Sequence, residues 1–189
     1  MKRIAIFASG NGSNAENVIN YFQQHRCGGE VALVICNKPD AAVLDRAARL
    51  GVDAVVMPRA EINDPDRLLP VLDEYGVDVI VLAGFLLMVP GFLIERYRNR
   101  IVNIHPSLLP KYGGKGMYGS HIHEAVVAAG ERETGITVHF VSEGCDEGEV
   151  IFQASVPVAG NDTPADVEAK IHELERLHFP RVIRETFID

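Results

Sequence analysis

A chain of 189 residues, 47% hydrophobic and 23% charged, has the length and make-up of one ordinary globular domain and excludes a disordered or fibrous protein. Its formal net charge of −8 argues against broad binding to nucleic acid or anionic lipid, since both demand a basic surface that displaces counterions. Three cysteines without Cys-x-x-Cys spacing suggest neither a disulfide framework nor a zinc site, and no apolar run approaches the roughly 20 residues that span a bilayer, so a cytoplasmic protein with no membrane partner is expected.

In chain order, Ile4 to Phe7 is a short apolar run stopped by Ser9-Gly10, and Val31 to Ile35, Ala54 to Met57 and Val77 to Leu82 repeat the pattern. Runs of this length bounded by Gly, Asn or Pro read as strands buried on both faces. Ala15, Val18, Ile19 and Phe22 fall at i, i+3, i+4, i+7 and form one stripe of a helix. Strands alternating with helices predict an α/β fold, a single domain over 1–189 with a doubly wound, mostly parallel sheet and helices on both faces.

After Pro90 the pattern changes. Ile101 to Ile104 is a further buried strand, a Gly-rich loop runs from Gly113 to Gly119, and a helix follows at about 121–129. Thr134 to Val141 and Glu149 to Val158 lie close enough to pair, which predicts a mixed or antiparallel edge. The last helix starts with Thr163 as N-cap and Pro164 at its first position, with Val167, Ile171 and Leu174 expected on its buried face.

The turn Ser9-Gly10-Asn11-Gly12-Ser13-Asn14 stands where the first strand passes into the first helix. In a doubly wound sheet, free N–H groups and the helix dipole converge there on an anion, and glycine lets the backbone approach it. It lacks the dinucleotide pattern and the Gly-Lys-Ser/Thr of a triphosphate loop, so a single phosphate is expected. Ser13 and Glu16 equally have the spacing of a capping box, which would make the turn structural.

Asn103 and His105, two apart on a strand, point to one face, and Pro106 and Pro110 stiffen the segment after them. An amide donor and an imidazole on one face suit acyl transfer, where an oxyanion needs fixed donors and a nucleophile must lose a proton. A lone histidine beside a proline is also a common structural feature. The acidic turn from Glu143 to Glu149, with Asp146 at its centre, reads either as a solvated loop or as a source of a carboxylate for His105, and spacing cannot decide between them. His121-x-His123 lacks further ligands, so no metal is expected. Leu109-Pro110 is expected to be cis.

Taken together, Ser-Gly-Asn-Gly-Ser-Asn at 9–14, Asn-Lys at 37–38, Leu-Ala-Gly-Phe at 82–85, Asn-Ile-His-Pro-Ser-Leu-Leu-Pro at 103–110, Thr-Val-His-Phe-Val at 137–141 and the Asp146 turn give a chain that resembles the phosphoribosylglycinamide formyltransferases of the folate-dependent formyltransferase family. The resemblance covers nearly the whole chain. It implies transfer of a formyl group from 10-formyltetrahydrofolate, as co-substrate, to the amine of glycinamide ribonucleotide in purine biosynthesis, with no metal. By the same resemblance Asn103, His105 and Asp146 match the catalytic triad, in which Asp146 favours the protonated imidazole and helps move a proton to the leaving folate nitrogen. Gly12, Ser13 and Asn14 match the phosphate-binding loop, and Glu175 and His172 match contacts to the ribonucleotide. Leu86, Leu87, Met88 and Val89, with Asn103 and the loop Ser142, Glu143, Gly144, Cys145 and Asp146, match the folate site.

The phosphate-binding half is then expected at 1–100 and the catalytic and folate-binding half at 101–189. Leu87 departs from the Arg or Lys found in many relatives. A related hydrolase carries an added N-terminal domain, and a related tRNA-modifying transferase an added C-terminal RNA-binding one. A first strand beginning by Ile4 and an acidic chain ending at Asp189 set the expectation against both. Small-molecule substrates and a monomer or homodimer complete it.

Overall fold

In a computed structural model, which describes residues 1–189, the strand and helix runs alternate as expected. The strands β1 (Lys2–Ala8), β2 (Gly29–Cys36), β3 (Ala54–Val56), β4 (Val79–Leu82), β5 (Ile101–His105), β6 (Glu133–Phe140) and β7 (Val150–Pro157) form a seven-stranded sheet in the order β3-β2-β1-β4-β5-β6-β7. The chain divides into two compact units, Met1–Val102 with Ile183–Asp189, and Asn103–Val182.

In the first unit, β1 (Lys2–Ala8), β2 (Gly29–Cys36), β3 (Ala54–Val56) and β4 (Val79–Leu82) are all parallel, β1 pairing with both β2 and β4 and β2 with β3. Their apolar content explains the arrangement, because Ile4, Ile6, Phe7, Leu33, Ile35 and Ile80 are fully buried, as strands covered on both faces must be. Five helices accompany them: α1 (Ser13–His25), α2 (Ala42–Arg49), α3 (Arg59–Ile62), α4 (Pro65–Glu74) and α5 (Gly91–Arg96). The expected stripe of α1 is the buried one, Ala15, Val18, Ile19 and Phe22. β4 starts at Val79, two residues later than its apolar run, because Val77 closes the turn that follows α4, its N–H bonded to the Leu72 carbonyl.

The second unit holds the end of β5 (Ile101–His105), then α6 (Ser120–Ala128), β6 (Glu133–Phe140), β7 (Val150–Pro157) and most of α7 (Pro164–Phe187). β6 and β7 are antiparallel, with a register shift between Val138 and His139: Val138 faces Phe152 while His139 faces Val150, so Ile151 is the extra residue. Gly135 is required inside this ladder, since a Cβ there would run into the Ala154 carbonyl. Thr163 caps α7 as expected, its hydroxyl accepting from the Asp166 N–H at 3.2 Å while Asp166 accepts the Thr163 N–H at 2.8 Å. The buried face of α7 needs one correction. Val167 and Ile171 are buried, but Leu174 is only half-buried and Glu175 takes the buried position beside it. No helix is long and apolar enough to cross a membrane.

Candidate active site

The turn after β1 is built to present backbone N–H groups. Gly12 occupies the N-cap of α1 with φ 82°, a left-handed conformation that favours glycine, and no side chain caps the helix. The capping box open to Ser13 and Glu16 therefore does not form; Glu16 instead pairs with Arg46 and Arg49 of α2. The opening N–H groups of α1 are left pointing off its positive end, the arrangement that attracts an anion.

Helix α2 shapes this turn from one side. The Val43 N–H donates to the Gly10 carbonyl at 3.1 Å, and a Cβ on Gly12 would lie 2.6 Å from the Val43 Cβ. Arg46, three residues on and so on the same face, donates Nε to the Asn11 carbonyl at 2.8 Å and Nη2 to Asn11 Oδ1 at 2.7 Å. On the other side the Ser9 hydroxyl donates to Asn37 Oδ1 at 2.6 Å and accepts the Leu86 N–H at 2.9 Å. The Asn37-Lys38 motif and the segment after β4 are thus joined to the turn by one serine. In that segment Leu86 and Met88 are 53% and 57% exposed, unusual for such side chains, while Leu87 and Val89 are half-buried.

In the second unit, the end of β5 sends Asn103 and His105 to the same face, and the loop after β6 brings Asp146 to them. Asp146 Oδ2 lies 3.5 Å from His105 Nδ1, with the two side chains 12% and 5% exposed. On the other edge of the ring, His105 Nε2 lies 2.8 Å from the Tyr112 carbonyl oxygen, which can only accept. Nε2 therefore carries a proton, and Nδ1 faces a carboxylate: both edges see acceptors, which the imidazolium form satisfies. Asp146 is held in turn by the Gly114 N–H at 3.0 Å and sits at φ 57°. The Leu109–Pro110 peptide is cis, as expected.

A second histidine, to which the sequence assigned no role, completes the cluster. His139 Nδ1 lies 2.9 Å from the Phe140 carbonyl and so carries the proton, leaving Nε2 as an acceptor 3.1 Å from the Asn103 amide nitrogen. Burial pushes the His139 pKa below its ordinary value, outweighing the nearby Phe140 carbonyl and Asp146 carboxylate. Its neutral ring can accept one Asn103 N–H and leave the other for a ligand. The signal was present in the sequence: an ionisable residue within the apolar strand Ile136-Thr137-Val138-His139 requires a reason.

Thr137, also unforeseen, sets the backbone beside the ring. Its hydroxyl donates to the Ser107 carbonyl at 2.7 Å and accepts from the Leu109 N–H at 3.0 Å and Gln153 Nε2 at 2.9 Å. The rest of the candidate residues divide. Ser142, Gly144 and Cys145 are half-buried in the Asp146 loop and Glu143 is exposed. Burial and the Asp146 carboxylate push the Cys145 thiol up, away from a reactive thiolate. On α7 Glu175 is buried, while His172 is exposed with Nε2 3.8 Å from Glu168. His121 and His123 do not converge: His121 is exposed against the Tyr118 ring, and His123 is buried with its pKa lowered chiefly by that burial.

The chain is also similar to known proteins along nearly its whole length. The formyl transferase family model matches residues 2–183. A phosphoribosylglycinamide formyltransferase of Bacillus subtilis (strain 168) is 35% identical over 98% of this chain and 94% of its own length. The chloroplastic phosphoribosylglycinamide formyltransferase of Arabidopsis thaliana is 39% identical over 94% of this chain, which spans 63% of that relative and 60% of its counterpart from Vigna unguiculata. Among solved structures, glycinamide ribonucleotide transformylase 1 from Symbiobacterium toebii superposes with a TM-score of 0.88 at 39% identity, covering 97% of this chain and 86% of that one. With a family model matched over almost its entire length and relatives well above 30% identity, the chain belongs to the formyl transferase family.

Proposed function

We propose that the chain transfers the formyl group of 10-formyltetrahydrofolate to the amine of glycinamide ribonucleotide, giving formylglycinamide ribonucleotide and tetrahydrofolate. The observation that carries this reading is the buried His105 ring with an acceptor at each edge, Asp146 and the Tyr112 carbonyl, on the strand that also carries Asn103. Relatives named phosphoribosylglycinamide formyltransferase support the choice of substrates.

In this reading the phosphate of the ribonucleotide binds the N–H groups of Gly12, Ser13 and Asn14, with Glu175 and His172 toward its sugar. The exposed apolar side chains of Leu86 and Met88, with Leu87 and Val89 and the 142–146 loop, receive the folate. The amine attacks the formyl carbon, a new C–N bond forms, and the formyl oxygen becomes an oxyanion. The free N–H of Asn103 and the positive charge of His105 stabilise it, because fixed donors in a dry site need no reorganisation as charge develops. The N10–C bond then breaks, the amine surrenders one proton, and the departing folate nitrogen takes one, with Asp146 steadying His105 through the transfer. No covalent enzyme intermediate is needed.

The test mixes purified protein with both substrates and follows formylated product together with free folate. Folate release that depends on the ribonucleotide is expected. Release accompanied by formate in its absence would instead assign a hydrolase, and binding without turnover a sensor.

A further inference from the structure

We propose that Glu131, in the turn between α6 and β6, is a positioning residue for His105 and acts through Tyr112. The inference rests on the formyl-transfer reading for its kinetic consequence but not for its structural one.

Residues 111–114 form a strap that touches both members of the His105–Asp146 pair, and it does so with backbone groups: the Tyr112 carbonyl meets His105 Nε2 at 2.8 Å and the Gly114 N–H meets Asp146 Oδ2 at 3.0 Å. Tyr112 stands at φ 54°, a conformation that disfavours a side chain and persists only where the surroundings enforce it. Glu131 supplies that enforcement. Its Oε1 accepts from the Tyr112 hydroxyl at 2.9 Å, and Lys111 Nζ reaches both carboxylate oxygens at 3.1 and 3.3 Å. One carboxylate thus ties down two consecutive side chains of the strap. The Ser107 hydroxyl, donating to the Lys111 carbonyl at 2.6 Å, holds the near end.

The charge states match the geometry. The bonds from Lys111 and Tyr112 hold the Glu131 carboxyl below its ordinary value, and burial with the Glu131 bond raises the Tyr112 phenol, so an anionic acceptor meets a neutral donor across the neutral range. If Glu131 releases Tyr112, the backbone at 112 can relax from its left-handed conformation, which turns its carbonyl off Nε2. His105 then loses the acceptor that fixes its ring, while neither substrate loses a direct contact.

The test compares Glu131→Ala, Tyr112→Phe, the double variant and Glu131→Gln. Each of the first two is expected to lower kcat by about tenfold with KM for both substrates within about twofold, the pattern of a group felt mainly in the transition state. The double variant should be no worse than either single, since both cut one linkage. Glu131→Gln still accepts the phenol proton and should stay within about threefold of wild type in kcat. The second measurement is the His105 Nε2–H resonance in 15N-edited NMR of the free protein, expected to be lost or displaced in Glu131→Ala and Tyr112→Phe and retained in Glu131→Gln. An unchanged resonance in Glu131→Ala, additive kinetic losses, or a loss confined to KM would overturn the assignment. The resonance reads the linkage without any substrate, so failure of the formyl-transfer reading leaves the structural outcome intact.

Discussion

Replacing Asp146 with asparagine removes one negative charge and almost nothing else, which makes it the sharpest probe of the His105 cluster. The shape is kept, and the new amide oxygen can still accept the Gly114 N–H that Asp146 Oδ2 receives at 3.0 Å. At the 3.5 Å separation of Oδ2 from His105 Nδ1, a unit charge pair in an effective dielectric of about 20 is worth about 5 kcal/mol. The asparagine dipole and relaxation of the loop recover part of that, leaving about 3 kcal/mol of lost support for the imidazolium in the transition state. At about 1.4 kcal/mol per decade this lowers kcat by roughly 10²-fold. Steady-state release of folate, measured with each substrate varied in turn, separates kcat from KM; both KM values should move by less than about threefold, because the charge acts on His105 rather than on either substrate. Wild-type kcat in Asp146→Asn would show that the carboxylate charge plays no part in the chemistry.

Two further outcomes test other parts of the molecule. Arg46→Ala removes two hydrogen bonds to Asn11 and an ion pair to Glu16, and should raise KM for the ribonucleotide by about tenfold while kcat is kept, the cost of charged hydrogen bonds being about 1.5 kcal/mol or more; Arg46→Lys should not restore it, since a single ammonium lacks the fork that reaches both oxygens. His123 and His139 are both buried with pKa values pushed below the ordinary 6.5. The unfolded chain then binds more protons than the folded one as pH drops through and below that value, so stability must fall with pH. Melting temperatures measured from about pH 7.5 to 5.5 should decline, less so in His123→Gln, and a flat profile would contradict the buried neutral histidines.

Periodicity read most of the scaffold because a buried parallel strand leaves an unmistakable local mark: Ile4 to Phe7 or Val31 to Ile35 has no other economical reading. The shared face of Asn103 and His105 was equally local, a matter of two residues on one strand. Asp146 was not, since it reaches His105 only through the return of the chain from β5 to the end of β6, and no spacing rule spans such a loop. The strap contacts were hidden for a different reason. Tyr112 and Gly114 act through their peptide groups, which every residue type shares, so the sequence carries no chemical label for them. The Ser13–Glu16 spacing left a capping box open that does not form, because arginines on α2 offer Glu16 a stronger partner than the helix terminus. Leu174 missed the core because the buried stripe of α7 runs through Val167, Ile171, Glu175 and Phe179 at four-residue steps, which leaves Leu174 at its edge.

The extra residue at Ile151 in the β6–β7 hairpin gives the acidic loop a calibrated reach. Strand β6 delivers His139 to Asn103, and the same hairpin, seven residues further along, delivers Asp146 to His105. The arm therefore measures length as well as supplying side chains. Residues along it can be exchanged while the count is kept, but dropping the odd residue would let the ladder close evenly and draw the tip back by one step. Since adjoining positions on a strand face opposite ways, that step is enough to present the wrong side of the loop to His105. The placement of Asp146 beside His105 is thus set partly by arithmetic along the backbone, and insertions or deletions between Val138 and Phe152 should be far less tolerated than substitutions there.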